Sequence, residues 1–237
     1  MVIGLFVIIG LGSAVGLGAM AVTRYRLAKL IADTPTTPIS DLTNGFVEVK
    51  GKVSALSEAL ISPMTKSNCV YYRFHVQERI QQGKSSKWVT RIDESDHKLC
   101  LLEDGSGAVE LDLITADLRL QPDTSDNSGF LNSMSPEMEE LLNEYGFSST
   151  SLVFNKTLKI EETVLEIGDE VYALGECVLR DNEFPEITQG ANGIYLVSDH
   201  SEDALIQKIN GSAVMYGLGA GALGIGGIVA AWFFATL

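Results

Sequence analysis

Val70-Tyr71-Tyr72-Arg73-Phe74-His75-Val76-Gln77 is the stretch on which the fold turns. Val70, Tyr72, Phe74 and Val76 alternate with Tyr71, Arg73, His75 and Gln77, giving one apolar face, the period-two pattern of a half-buried strand. Upstream, residues 46–53 alternate in the same way. Downstream, residues 87–92 offer a partner across a polar loop containing Gly83. Residues 99–103 and 108–113 flank Asp104-Gly105-Ser106-Gly107, a hairpin turn, because glycine tolerates the positive φ of tight turns. Further strands are predicted over 151–160, 170–179 and 193–197. Residues 123–129 are a polar break. Ser135-Pro136-Glu137, then Met138, Leu141, Leu142 and Gly146, carry the N-cap, first-turn proline and closing glycine of a short helix. One compact β-rich (α+β) domain follows, a small barrel or a sandwich of two sheets, with no internal repeat.

Around this middle the composition is sharply partitioned. Residues 1–22 and 212–237 carry no charge, and all 17 basic and 31 acidic residues lie between them. At about 1.5 Å per residue the two stretches are ~33 Å and ~39 Å long as helices, against a hydrocarbon core of ~30 Å. A wholly soluble protein, a polytopic transporter and a disordered acidic chain are excluded. The predicted organisation is that of a membrane protein. Transmembrane helix 1 occupies 1–22, and a basic exit and Pro/Thr linker follow over 23–40. The β-rich domain fills 41–200. A helix from 201 then leads into transmembrane helix 2 at 212–237, where Ala231-Trp232-Phe233-Phe234 forms an interfacial aromatic group. Ala19-Met20-Ala21 has the small-x-small form of a signal cleavage site, but no Lys or Arg precedes the apolar run, which favours an anchor. Gly12-x3-Gly16 and Gly217-x3-Gly221 have the spacing for close helix packing in lipid, within the chain or between copies in a homo-oligomer. Arg24, Arg26, Lys29 and Lys208 flank the spans on the domain side, which predicts a cytoplasmic middle domain. Cys69, Cys100 and Cys177 are odd in number and widely spaced, unlike a disulfide framework.

Several short motifs then fall in a familiar order. They are Gly51-x-Val53, Ile61-Ser62-Pro63, Cys69-Val70-Tyr71-Tyr72-Arg73, Trp88, and Leu101-x-Glu103-Asp104-x2-Gly107. Glu162-x2-Leu165-x2-Gly168-Asp169-x-Val171-Tyr172-x-Leu174-Gly175 and Tyr195-Leu196-x-Ser198 follow. The order resembles the GIDE-domain family of Mulan-type membrane E3 ubiquitin ligases, whose β-rich part is also called a "beside a membrane" domain. The resemblance covers nearly the whole chain. A RING requires eight Cys/His ligands for two zinc ions, whereas the sequence has three Cys and three His. What the resemblance implies is therefore a RING-less, prokaryotic-type member without ligase activity, an integral protein of the inner or cell membrane. The family arrangement implies a domain on the side equivalent to a bacterial periplasm, against the basic flanks, and the expectation follows the flanks.

Chemistry-bearing residues are few. Cys69-x5-His75 and His97-x2-Cys100 are the best constellation. On an extended strand Cys69 and His75 share a face, and converging with the second pair they would make a zinc site or a Cys–His nucleophile. A buried free cysteine is the plainer reading, and no metal, cofactor or catalytic residue is assigned. His200 reads as a surface or capping residue. The pairs Glu103-Asp104, Glu139-Glu140, Glu161-Glu162 and Asp169-Glu170 read as solvated edges, since neighbours on a strand point to opposite faces. Residues 123–126 lack calcium-loop periodicity, and no phosphate loop is present. A net charge of −14 opposes binding to nucleic acid and adhesion to anionic lipid, and favours basic partner segments. The leading expectation is a non-enzymatic scaffold or interaction module tethered to the lipid bilayer, with an unknown protein partner. A ligand- or lipid-sensing barrel, or a metal/Cys–His enzyme, is the alternative.

Overall fold

The computed structural model describes residues 2–128, 135–147, 157–181, 183–200 and 202–235. They form two compact units, the helical pair Met1–Pro35 with Ser201–Leu237 and the β unit Thr36–His200. In chain order the elements begin with α1 (Val2–Asp33), β1 (Gly45–Ala55), β2 (Leu60–Ile61), β3 (Asn68–Gln82), β4 (Ser85–His97) and β5 (Cys100–Glu103). They continue with β6 (Ala108–Leu111), β7 (Asp117–Arg119), β8 (Thr124–Ser128), α2 (Pro136–Glu144) and β9 (Thr157–Glu166). The last are β10 (Glu170–Val178), β11 (Glu186–Thr188), β12 (Leu196–Ser198) and α3 (Glu202–Ala235).

Five strands close into a barrel. β1 runs antiparallel to β10 from Gly45↔Cys177 to Lys52↔Glu170, then to β5 from Lys52↔Glu103 to Ala55↔Cys100. β5 pairs with β6, β6 lies parallel to β11, and β11 returns to β10. The ring β1-β5-β6-β11-β10 has the connectivity of an OB-type Greek-key barrel. Its core is filled by alternating inward residues such as Val49, Val53, Leu102, Val109 and Ile187, with Tyr195. Two glycines permit the closure. A Cβ on Gly51 would stand 2.5 Å from the Glu103 carbonyl oxygen, and one on Gly175 would stand 2.8 Å from Ile187 Cγ2 and 2.9 Å from the Thr188 oxygen.

The second sheet is inserted into the barrel sequence. β3 is its axis, pairing with β2 and β4 on one edge and with β9 on the other, and β8 adds to β9. Its apolar face (Phe74, Val76, Ile92, Leu158, Ile160) is covered by Met138, Leu141 and Leu142 of α2. Burying side chains of this size contributes about 1.5–3 kcal/mol each. β9 passes directly into β10 through Gly168 (φ +99), whose N–H donates to the Val53 carbonyl at 2.8 Å, while the Val53 N–H donates to the Asp169 carbonyl at 2.8 Å, so the turn between sheet and barrel is tied to β1.

The strands expected around residues 46–53, 70–77, 87–92, 99–113 and 170–179 are present, as is the short helix. Residues 151–156 lie outside the described ones, and the remainder of that expected strand begins β9. Within the polar stretch expected as a break, Thr124–Ser128 form a strand, and residue 129 lies outside the described ones. β8 needs only backbone hydrogen bonds to join the edge of β9, so hydrophobic alternation does not reveal it. The expected strand at 193–197 is displaced to β12. In the helical unit α1 continues through Arg24, Arg26 and Lys29 to Asp33, which shortens the expected linker. Thr36 already forms a parallel bridge with Glu48. α3 contains one segment, Glu202–Val229, long and apolar enough to cross a membrane. Trp232, Phe233 and Phe234 continue its backbone, and their side chains lie outside those described. α1 and α3 pack together. An added Cβ at Gly12, Gly16, Gly217 or Gly221 meets nothing within 4 Å, whereas at Gly219 it would reach Leu17 Cδ1 at 3.2 Å.

Because a Cβ on Gly175 would meet three atoms inside van der Waals contact, from Ile187, Thr188 and Tyr195, Gly175→Ala is expected to lower stability by about 1–3 kcal/mol. Gly105→Ala, in an open turn, should act only through its positive φ. Chemical unfolding of both variants, followed by circular dichroism, checks the order.

Candidate functional site

The site is organised by a carboxylate that no water reaches. Glu162 is 0% exposed in β9, on the face that carries Leu158, Ile160 and Val164. Its Oε1 accepts from the Met64 N–H at 2.6 Å. Its Oε2 accepts from the Thr65 N–H at 2.9 Å and the Thr65 hydroxyl at 2.7 Å. Ser62 closes the same loop: its N–H donates to the Ser67 carbonyl at 3.0 Å, and its hydroxyl oxygen accepts from the Ser67 N–H at 3.1 Å. Lys66 completes the turn at φ 58, a left-handed conformation uncommon outside glycine. The loop between β2 and β3 is thus a rigid wall.

The facing wall is α2. The Ser135 hydroxyl oxygen accepts from the Met138 N–H at 3.2 Å as N-cap. At the other end Gly146 takes φ +74, with Phe147 N–H to Leu142 O at 2.8 Å and Gly146 N–H to Asn143 O at 2.9 Å, the two bonds of a Schellman motif. Between the walls runs a groove whose two adjoining parts measure about 400 Å³ and 370 Å³. Its bed is apolar, from Ile61, Pro63, Met64, Met138 and Leu141; its rim is acidic, from Glu94, Glu137, Glu140 and Glu144, against Lys66 as the one cation among these lining residues.

At one end of the groove the Tyr72 hydroxyl donates to Glu94 Oε1 at 3.1 Å, and Tyr145 lines the same part of the groove. Tyr145 stacks tilted on Phe74 with ring centroids 5.3 Å apart. Burial, then the bond to Glu94, pushes the Tyr72 phenol up to about 12 and the Tyr145 phenol upward as well. Both stay protonated at neutral pH, and the Tyr72 hydroxyl remains a donor to Glu94. Glu144 stands in the last turn of α2, where the helix dipole disfavours a negative charge by about 0.3–1 kcal/mol, and no basic residue shares that turn. The groove therefore concentrates negative potential over an apolar floor. That arrangement suits a cation carried beside apolar side chains.

The Cys–His constellation does not assemble. β3 has a bulge: Cys69 pairs with Glu166 and Tyr71 with Leu165, leaving Val70 extra. The bulge reverses the expected parity, and Cys69 packs with Tyr72 and Val164 while His75 sits opposite, 3.3 Å from the Thr90 hydroxyl. His97 lies across from Tyr71, and Cys100 belongs to the barrel core. Among the described residues no group of three or more His, Cys, Asp or Glu side chains could hold a metal. Burial, then Glu162 and Glu166, pushes the Cys69 thiol up to about 11; burial, then Asp112 and Glu110, pushes Cys100 up to about 12; burial also raises Cys177. A nucleophilic thiol needs the opposite shift. His200 is not a surface residue either: its side chain is largely buried, with Nδ1 2.6 Å from Asp199 Oδ1.

The acidic pairs separate in the same way. Glu162 is buried and structural, not a solvated edge. Asp104 is a turn anchor that accepts from Ile39, Ser106 and Gly107 N–H groups and the Ser106 hydroxyl, bonds that outweigh its burial and lower it to about 2. The phase of Glu162 with Leu158, Ile160 and Val164 is the signal that marks it in the sequence. The spacing of Glu137, Glu140 and Glu144 likewise marks one side of a helix.

A β domain combining a closed OB-type barrel, an inserted sheet and a grooved helix, followed by a helix of membrane-spanning length, defines the class. The family model GIDE, described as E3 Ubiquitin ligase, matches residues 75–232, and the chain belongs to the GIDE family. No curated protein and no solved structure gave a match.

Two outcomes follow. Glu162→Gln keeps the shape but turns one acceptor into a donor facing N–H groups, and should destabilise by about 1–3 kcal/mol. Hydrogen exchange should accelerate at Met64 and Thr65 while the barrel amides of β10 stay protected. Separately, burial raises Asp123 and Asp169, and nearby carboxylates, Asp199 and Glu166 included, add to it. A carboxyl raised in the folded state binds its proton there first. Stability from this source therefore grows as pH falls through the raised value toward the unfolded value of about 3.9. Asp123→Asn should melt above wild type at pH 7, and thermal unfolding should show the gap closing on acidification.

Proposed function

We propose that this GIDE-family chain is a non-enzymatic, membrane-tethered interaction module whose α2 groove captures a basic amphipathic segment of a protein partner. The observation that carries this reading is the groove itself, an apolar bed under four carboxylates and one lysine. A partner helix with apolar residues on one side and Lys or Arg at their margins matches both features. In this reading α1 and α3 both anchor in the bilayer with the β unit on the cytoplasmic side, as the positions of Arg24, Arg26, Lys29 and Lys208 favour. Tethering raises the groove's effective concentration toward other membrane-bound chains. An added Cβ at Gly12, Gly16, Gly217 or Gly221 meets no atom of a described residue within 4 Å, which in this reading leaves them to neighbouring copies. Ligase chemistry through a RING is not part of the proposal, since these 237 residues hold six Cys and His together where a RING uses eight. The barrel is not favoured as a ligand cavity, because Leu102, Leu111, Ile187 and Tyr195 fill its core.

The test uses the full chain in nanodiscs and a labelled Lys/Arg-rich amphipathic peptide, with binding read by anisotropy. The double variant Glu140→Lys/Glu144→Lys should weaken binding about tenfold at low salt, with the difference shrinking at high salt. Glu58→Lys, an exposed acid outside the groove, should leave it unchanged. Equal losses from both variants would mean nonspecific attraction to an acidic surface and end the groove assignment.

A further inference from the structure

Among the described residues, the β3–β4 hairpin extends beyond its neighbour β9. β9 accompanies β3 only as far as Arg79↔Thr157, and among the described residues 80–87 pair only with one another. Between Arg79 and Arg91 there is no Asp or Glu, while Arg79, Lys84, Lys87 and Arg91 are all exposed. Arg91 is engaged by the buried Glu78, Nε to Oε2 at 2.8 Å. Arg79 Nε donates to the Ser86 hydroxyl oxygen at 2.8 Å, and neither it nor Lys84 nor Lys87 forms an ion pair with a described residue. Directly across from Arg79 stands Trp88, 45% exposed.

The sign of this tip is opposite to the net charge of −14, and distance decides which one a partner meets. The acids nearest in sequence are Glu78 and Asp93, each already ion-paired. Lys84 is six residues along the strand from Glu78, about 20 Å, or twice the Debye length of ~8–10 Å in physiological salt. The acidic body is screened at that range, and the tip presents its own cationic field. An exposed indole beside lysines is the combination that the headgroup region of a bilayer accommodates, with the ring at the interface and the ammonium groups on phosphates.

We propose that the β3–β4 tip docks on an anionic bilayer surface, with Trp88 at headgroup depth and Lys84 and Lys87 on lipid phosphates. This surface lies outside the α2 groove and does not depend on the groove's occupant. The chain has two tryptophans, so Trp232→Phe leaves Trp88 as the reporter. The full chain carrying that change is placed in phosphatidylcholine nanodiscs and in nanodiscs containing phosphatidylglycerol. In the anionic discs alone, Trp88 emission is expected to shift to the blue and to be quenched by bromine-labelled lipid. Lys84→Glu/Lys87→Glu should remove both effects with unchanged circular dichroism, each lysine being worth about a fivefold change in surface partitioning, and high salt should weaken them. Emission identical in the two lipids and insensitive to bromine would overturn the proposal. So would an equal blue shift when a soluble polyanion is added to phosphatidylcholine discs, which would reassign the tip to an acidic macromolecule.

Discussion

A carboxylate with no exposure in the middle of a sheet constrains everything around it. Stripping Glu162 of water is tolerable only because three donors from one loop meet its two oxygens, and leaving a buried acceptor without such donors typically costs about 1–3 kcal/mol. The loop cannot drift, because Met64 and Thr65 are its donors. Nor can the strand slip by one residue, because the register that buries Leu158 and Ile160 also buries Glu162. The groove therefore has one fixed wall, so the proposed binding would cost little ordering entropy there.

The second wall is fixed by different physics. α2 is nine residues long, too short to be stable alone in water. It persists because Met138, Leu141 and Leu142 complete the sheet's apolar face and because both ends are capped. With that face occupied, Glu137, Glu140 and Glu144 have only the groove and solvent to face. The unfavourable position of Glu144 near the helix C-terminus fits a site where local stability yields to recognition.

Much of this was legible in the residues. Alternation located β1, β3, β4 and β10, and the Ser135, Pro136 and Gly146 punctuation located α2 within a residue or two. The failures share one cause, which is that the missing information is not local. A single extra residue at Val70 reverses strand parity, so Cys69 and His75, in phase by counting, face opposite ways. β8 is polar because an edge strand requires backbone pairing and little else. Barrel closure depends on β6 meeting β11 in parallel, more than seventy positions away, and neither strand announces its partner. The charge-free limit at Val22 marked a change of composition, which backbone hydrogen bonds ignore as α1 runs on to Asp33.

Net charge was the least informative quantity, for a reason that bears on both proposed surfaces. A total of −14 is a sum over a body several Debye lengths across, whereas a ligand responds to charges within about one. Within that radius the groove is more negative than the average suggests, and the β3–β4 tip is positive. Ion pairing sharpens the contrast: Arg73 with Asp93, Arg91 with Glu78 and Lys159 with Glu161 neutralise the middle of the sheet, leaving uncompensated charge of opposite sign at the groove and at the tip. Such a domain can meet a basic segment with one surface and an anionic one with the other without the two competing.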